Sequence, residues 1–297
     1  MNLGTRTADF EVLKELGQGS YGTVYQVKGK NDGTIWAVKK IGRRNGIDPM
    51  QEFNAQQAVA QGCPYVVQIF AAWGTESNSD YLYVQMEFCS KGSLQDVWNI
   101  QTEIKETIEH NQFTVHPDNQ RVPSAQLVLE QIAEALIACE ERGLAHLDIK
   151  PANILVVNLS HVKLADFGQV LTTTQAGNHA GVHFRGANSA APGRRGTEGF
   201  IAPEMGVTTN MDWSTTDIYS LCSTTWMLVM LQWPEEADKM GPGNPQLRVS
   251  EENWPPLPGR GRPGLVKLVN SMLRTTQPEL RPPAREVKAF FQSDDGS

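Results

Sequence analysis

Cysteine is scarce in this chain: four in 297 residues, at Cys63, Cys89, Cys139 and Cys222, with no CxxC pair. That scatter excludes a disulfide framework and a zinc ribbon, and it reads as buried or free thiols in a reducing compartment. Long apolar runs are missing too, none approaching the ~18 residues of a membrane span, so no spanning segment is expected. Positive charge falls short of negative, 26 Lys and Arg against 33 Asp and Glu, for a net charge of −7. With a pI near 5.4, the chain offers no electrostatic footprint for nucleic acid or an anionic membrane. No GxxxxGK(S/T) run exists, which removes a Walker-type nucleotide site, and no internal repeat is visible. MNLGTRTADF lacks a signal-peptide core and Asn2 stands where myristoylation needs glycine, so the expected location is intracellular, in cytoplasm or nucleus.

What is present is concentrated between His146 and Gly168, in HLDIKPANILVVNLSHVKLADFG. Ile154 to Val157 and Val162 to Ala165 are short β-prone apolar runs, and the polar Asn158 to His161 between them turns the chain, so the segment predicts a hairpin. Asn153 just precedes the first strand and Asp166 just follows the second, and antiparallel pairing brings them to the same end. An amide oxygen and a carboxylate meet there, a hard donor pair that suits magnesium beside a phosphate. Asp148 and Lys150 lie on the loop entering that end, a carboxylate to orient a hydroxyl and an ammonium to hold a phosphoryl oxygen. The chemistry implied is phosphoryl transfer.

HLDIKPAN followed by DFG resembles the catalytic and metal-binding loops of eukaryotic protein kinases, and the resemblance runs from about Phe10 to Phe291 with further motifs in the family's order. LGQGSYGTVY, residues 16 to 25, is similar to the family's glycine-rich loop through Gly17, Gly19 and Gly22. A dinucleotide fold uses the same glycines before a helix, but Thr23, Val24, Tyr25 and Val27 are strand formers, so these glycines cap a hairpin. Bare glycine lets backbone amides approach phosphates closely. In TIWAVKKI, strand alternation puts Ile35, Ala37 and Lys39 on one face. The resemblance implies that Ala37 packs on adenine and Lys39 binds the α and β phosphates. It implies ATP contacts from Leu16, Gly17, Gln18, Gly19, Ser20, Tyr21, Gly22, Thr23, Val24 and Leu155, with Met86 as gatekeeper and backbone groups of Glu87 and Cys89 at the adenine edge.

The family's lysine takes a glutamate partner from the following helix. Counting back from a next strand expected at Val66, the common spacing lands on Asn54, while Glu52 lies two residues earlier. EFNAQQAVAQG resembles the helix of the Wee and Myt cell-cycle kinases, where the connection is lengthened, so Glu52 is the expected partner and Asn54 the alternative. FAAW, residues 70 to 73, EFCSKGSL and Leu147 within HLD are similar to the same group. Leu147 stands where regulated kinases place an arginine that pairs with a phosphorylated activation loop, and leucine makes no charge-assisted bond. Activity independent of activation-loop phosphorylation is therefore expected.

Between Asp166 and Glu204 the chain is long and holds GNHAGVHFRGANSAAPGRRG, residues 177 to 196, which reads as a mobile loop. His179 and His183 lack the helix and the glutamate of a zinc motif, and Arg185, Arg194 and Arg195 read as solvated charge. In GTEGFIAPE, Thr197 matches the threonine with which Ser/Thr kinases contact the catalytic aspartate and lysine. By resemblance Asp217 holds the catalytic-loop backbone and opens a helix apolar on nearly every side, which predicts burial in a large core, and Arg281 pairs with Glu204. Asn99 to Pro123 reads as a surface insertion, and the PxxP spacing from Pro255 to Pro258 as a loop.

The fold expected is α+β: a two-lobed kinase fold with a small antiparallel sheet and one main helix in the first lobe, about 10–87, a hinge at 88–91, and a mainly helical lobe at 92–292. Residues 1–9 and 293–297 are short termini, leaving no room for a regulatory domain. The function implied is ATP- and Mg²⁺-dependent phosphorylation of Ser/Thr on a protein substrate. Catalytic residues would be Asp148, Lys150, Lys39 and Glu52, metal ligands Asn153 and Asp166, and the docking residue Thr197. A Wee or Myt type kinase acting on tyrosine and a pseudokinase scaffold are the alternatives. No nucleic-acid partner is expected, and monomer is the default state.

Overall fold

Strand-forming residues broken by glycine turns begin the chain as a meander: β1 (Phe10–Gly19), β2 (Gly22–Gly29) and β3 (Ile35–Gly42). The computed structural model describes residues 6–19, 22–42, 49–74, 81–99, 123–175, 184–186, 196–197, 199–205, 213–230, 263–273 and 277–292. After α1 (Pro49–Ala60) come β4 (Ile69–Gly74) and β5 (Tyr81–Glu87), and the five strands form one antiparallel sheet in the order β1-β2-β3-β5-β4. Phe53 of α1 packs on Ile41 and Val84, and Trp73 stacks between Phe10 and Tyr83 over Val27 and Val38.

The second part is helical: α2 (94–99), α3 (Ala125–Glu140), α4 (Trp213–Met230), α5 (Pro263–Met272) and α6 (Ala284–Gln292). Ser124 caps α3 by accepting from the Leu127 N–H at 3.2 Å, and Val128, Leu129, Ile132, Ala133 and Leu136 then form a buried stripe at helical spacing. Each fully buried Leu or Ile there contributes about 1.5–3 kcal/mol. α4 is buried on nearly every side, as its composition predicts. Its hydroxyls are accommodated by bonding back one turn, Ser220 to the Thr216 carbonyl at 3.0 Å and Thr225 to that of Leu221 at 2.8 Å. The α+β, two-lobed architecture is the expected one.

The segment after α3 is the part that positions the site. β6 (Leu144–Ala145) leads into the loop 146–153, and β7 (Ile154–Asn158) and β8 (His161–Leu164) form the hairpin. The turn is tighter than expected, because the Asn158 carboxamide oxygen accepts from the Ser160 N–H at 2.9 Å and leaves only Leu159 and Ser160 between the strands. Two expectations are corrected. Val66 opens no strand of the sheet: it forms a parallel bridge to Leu164 of β8, and β4 begins only at Ile69. The stretch 177–196, expected as a loop, contributes β10 (Phe184–Gly186), which pairs with β9 (Leu171–Gln175), itself paired with β6. Backbone pairing outweighs the loop-like composition there. Other expectations on 99–123 and at Pro255 and Pro258 fall, apart from the ends of the insertion, outside the described residues.

Candidate active site

The loop carrying Asp148 is held from beneath. Asp217 accepts from the backbone N–H of His146 at 2.8 Å and of Leu147 at 2.7 Å. Burial pushes the Asp217 carboxyl up to about 7, against the pull of those two donors. This grip holds Leu147 at φ 64, a left-handed conformation that branched side chains seldom adopt; Asp166, at φ 62, is the other non-glycine of this kind among the described residues. The His146 ring lies edge-on to Phe167, its Nε2 is 3.1 Å from the Ala165 carbonyl oxygen, and burial holds its pKa below the ordinary histidine value.

Asp148 is buried and its carboxylate is held by three side chains. Thr197 Oγ1 donates to Oδ1 at 2.9 Å, Lys150 Nζ lies 2.9 Å from Oδ2, and Asn153 Nδ2 donates to Oδ2 at 2.9 Å and to the Asp148 carbonyl at 2.8 Å. Lys150 Nζ also donates to Thr197 Oγ1 at 2.7 Å, closing a ring of Asp148, Lys150 and Thr197. With its side-chain nitrogen committed to Asp148, Asn153 keeps its side-chain oxygen, Oδ1, for a cation. The Ile154–Leu164 pairing and the Ala165 N–H to Asn153 carbonyl bond, 2.9 Å, place Asn153 and Asp166 at one end of the hairpin.

Lys39 joins the two halves of the fold. Its Nζ lies 2.5 Å from Glu52 Oε1 on α1 and 2.7 Å from Asp166 Oδ1. Asn54, the alternative by counting, faces solvent. Burial opposes the lysine's charge, but Asp166 and Glu52 outweigh it and raise the Lys39 pKa. Burial works against Asp166 as well, yet Lys39 and the Gly168 N–H, 3.2 Å away, hold its carboxyl below the ordinary value. For Glu52 burial weighs more, and its pKa is raised.

Direct cross-strand partners point to the same face of a sheet. The pairs Val24–Lys39 and Ala37–Met86 therefore put those four side chains on one face. Gly17 pairs with Val24, Gln18 with Thr23, and Gly19 with Gly22, so the glycine-rich run does end a hairpin; Ser20 and Tyr21 lie outside the described residues. At Gly22, φ 146, an added Cβ would fall 2.2 Å from the Lys40 carbonyl oxygen, so only glycine fits. At Gly17 and Gly19 an added Cβ meets nothing within 4 Å. Leu16 is exposed. Leu155 is bridged to Ser93, and Cys89 is buried, its thiol pushed up to about 11 by burial and by Glu87.

Lys163 and Gln68, both beside this site, were not anticipated. Lys163, buried in β8, has its Nζ 2.6 Å from Glu87 Oε1, and the Gln68 N–H donates to the same oxygen at 2.7 Å. The available signal was a lysine inside the otherwise apolar VKLA, which needs a counter-ion once buried. Farther out, Arg281 holds Glu204 through two bonds of 2.5 and 2.9 Å. His179, His183, Arg194 and Arg195 lie outside the described residues, and among the described residues no group of three or more His, Cys, Asp or Glu is placed to hold a metal. No helix among them is long and apolar enough to cross a membrane.

The chain is 32% identical over 163 residues to mitogen-activated protein kinase kinase kinase kinase 3 of Rattus norvegicus, covering 54% of this chain and 16% of that protein. It is 27% identical over 285 residues to serine/threonine-protein kinase 1 of Arabidopsis thaliana, 95% of this chain and 30% of that protein. It is 30% identical over 190 residues to the interferon-induced, double-stranded RNA-activated protein kinase of Rattus norvegicus, 57% of this chain and 33% of that protein. The chain thus spans a third or less of the length of these relatives. The family model of the protein kinase domain matches residues 10–290, nearly the whole chain, and the chain belongs to that family.

Proposed function

We propose that the chain is an ATP-dependent protein kinase that transfers the γ-phosphoryl group to Ser or Thr hydroxyls of a protein substrate. The observation that carries this reading is the ring of Asp148, Lys150 and Thr197, with contacts of 2.7 to 2.9 Å. Asp148 is the residue that accepts the proton of the acceptor hydroxyl and orients its oxygen. Lys150 places positive charge where the transferring group becomes more negative, and Thr197 holds both in register. Phosphoryl transfer asks for little covalent chemistry from the protein, so positioning and charge stabilisation supply most of the rate.

Lys39, fixed by Glu52, serves the α and β phosphates, and the exposed backbone at Gly17 and Gly19, where no protein atom excludes a Cβ, leaves room for phosphate to approach. Ala37, Met86, Val24 and Leu155 bound the adenine, with backbone groups of Glu87 and Cys89 at its edge. Asn153 and Asp166 are hard oxygen donors at one end of a hairpin, which fits magnesium, and too few to form a cage without phosphate oxygens. Bound there, magnesium would neutralise phosphate charge. On this reading the hinge is 88–91 and the domain 10–292.

A scaffold without transfer would be favoured by a lysine lacking its acidic partner, whereas Lys39 has Glu52 at 2.5 Å. The Thr197 ring likewise favours Ser or Thr over the tyrosine acceptor suggested by the Wee and Myt likeness. The test is incubation of the purified protein with Mg·ATP and generic protein substrates, followed by phosphoamino-acid analysis. Phosphoserine and phosphothreonine are expected; phosphotyrosine alone, or no transfer despite ATP binding, would overturn the reading.

A further inference from the structure

We infer that Lys163 and Glu87 form a positioning pair that holds the adenine-facing backbone of the hinge in register with Asp166, and thereby sets nucleotide affinity. The inference rests on the kinase reading above. Glu87 is the last residue of β5, and its Oε1 accepts from Lys163 Nζ at 2.6 Å and from the Gln68 N–H at 2.7 Å. Its own N–H donates back to the Gln68 carbonyl at 3.0 Å. One carboxylate thus grips β8 and the connection that leads into β4.

Each of those adjoins a segment that bears part of the nucleotide site. Gln68 Nε2 donates to the carbonyls of Ala60 at 2.9 Å and Val66 at 3.2 Å, closing the end of α1, the helix that bears Glu52. Lys163 sits in β8 three residues before Asp166, beside Leu164, whose N–H and carbonyl pair with the Tyr65 carbonyl at 2.8 Å and the Val67 N–H at 2.9 Å. The side chains of Lys163 and Glu87 are 10% and 25% exposed, shielded enough for their charges to act strongly on each other. Among the described residues Glu87 is the ion-pair partner of Lys163. Without Lys163 the carboxylate keeps, among the described residues, the Gln68 N–H, and the hinge backbone loses its tie to the strand that leads to Asp166.

The test is calorimetric titration of the full chain with Mg·ATP, together with ATP KM and kcat, for wild type, Lys163→Met, Glu87→Gln and the double variant. Met keeps the packed stem of Lys163, and Gln keeps an oxygen for the Gln68 N–H, so Glu87→Gln supplies the measurement if Lys163→Met does not fold. Each single variant is expected to weaken Mg·ATP binding and raise KM roughly five- to tenfold, at the low end of coupling between linked sites. The double variant should lose no more than either single, because both break one pair. For Lys163→Met, kcat at saturating ATP should stay within about twofold, since Lys163 touches no reacting group. Variants that melt earlier yet bind Mg·ATP as wild type does would reduce the pair to a structural brace and overturn the inference. A wild-type chain that fails to bind Mg·ATP would overturn the kinase reading and this inference with it.

Discussion

Lys39 Nζ stands between two carboxylates, 2.5 Å from Glu52 Oε1 and 2.7 Å from Asp166 Oδ1, so one cation ties β3 both to α1 and to the end of the β7–β8 hairpin. Two acids this close tolerate burial only while the ammonium lies between them. Lys39→Met is therefore expected to abolish phosphoryl transfer and to lower stability by about 2–4 kcal/mol. That is somewhat below the ~3–5 kcal/mol for breaking a fully buried pair, because the Asp166 side chain is 32% exposed. Urea unfolding at pH 7 measures it, and a loss under ~0.5 kcal/mol would count against the pair as a stabilising contact.

The acid limb of stability should carry the signature of Asp166. Burial alone would raise its pKa, but Lys39 outweighs that and holds the folded-state value below the ordinary 3.8. A depressed pKa means stability that is present above the unfolded value and lost as pH falls through the folded one. Unfolding midpoints between pH 6 and 2 should fall less steeply for Asp166→Asn than for wild type.

Asp148→Asn should lower transfer by roughly 10²–10⁴-fold, the usual worth of a positioned proton acceptor, while Mg·ATP binding stays near wild type. The Asp148 carboxylate contacts Lys150, Asn153 and Thr197, and none of the described residues of the glycine-rich hairpin. Retained transfer would show that another group takes the proton.

Leu147 is buried with Ala145, Met205 and Trp213, packed on by Leu171 and Ile201, so apolar contact occupies the place where an arginine would await a phosphate. Phosphatase treatment of pure enzyme is expected to leave activity within about twofold, there being no guanidinium to lose a partner. Leu147→Arg should cost several kcal/mol, of order 3, because it buries a charge among those side chains.

Cys89 should resist alkylation at neutral pH. With its thiol pushed to about 11 by burial and by Glu87, the thiolate fraction at pH 7.5 is on the order of 10⁻³ to 10⁻⁴. Iodoacetamide labelling followed by mass spectrometry should show slow modification that quickens with pH; rapid labelling at pH 7.5 would contradict the buried environment.

Much of the site was legible because its geometry is local. Asn153 and Asp166 flank a hairpin whose two apolar runs and polar turn are written in consecutive residues, and antiparallel pairing alone brings their ends together. The glycine-rich hairpin and the Ala37–Lys39 face follow from strand alternation in the same way. Counting failed where it assumed a strand at Val66: residues 65–67 pair first with β8, the sheet resumes only at Ile69, and the spacing back to α1 no longer identifies the lysine's partner. Composition misled at 184–186, because hydrogen bonding to β9 gives three residues in a glycine-rich stretch an order their surroundings do not advertise.

The sequence by itself determined the family, the order of its motifs and the set of side chains available for phosphoryl transfer, since each motif is a run of neighbours whose local conformation places it. Only the tertiary structure decided between Glu52 and Asn54 as the partner of Lys39, and only it showed that Lys163 and Glu87, 76 residues apart, share one ion pair. Those contacts depend on how separate elements pack, and periodicity within any one element carries no record of its distant neighbour.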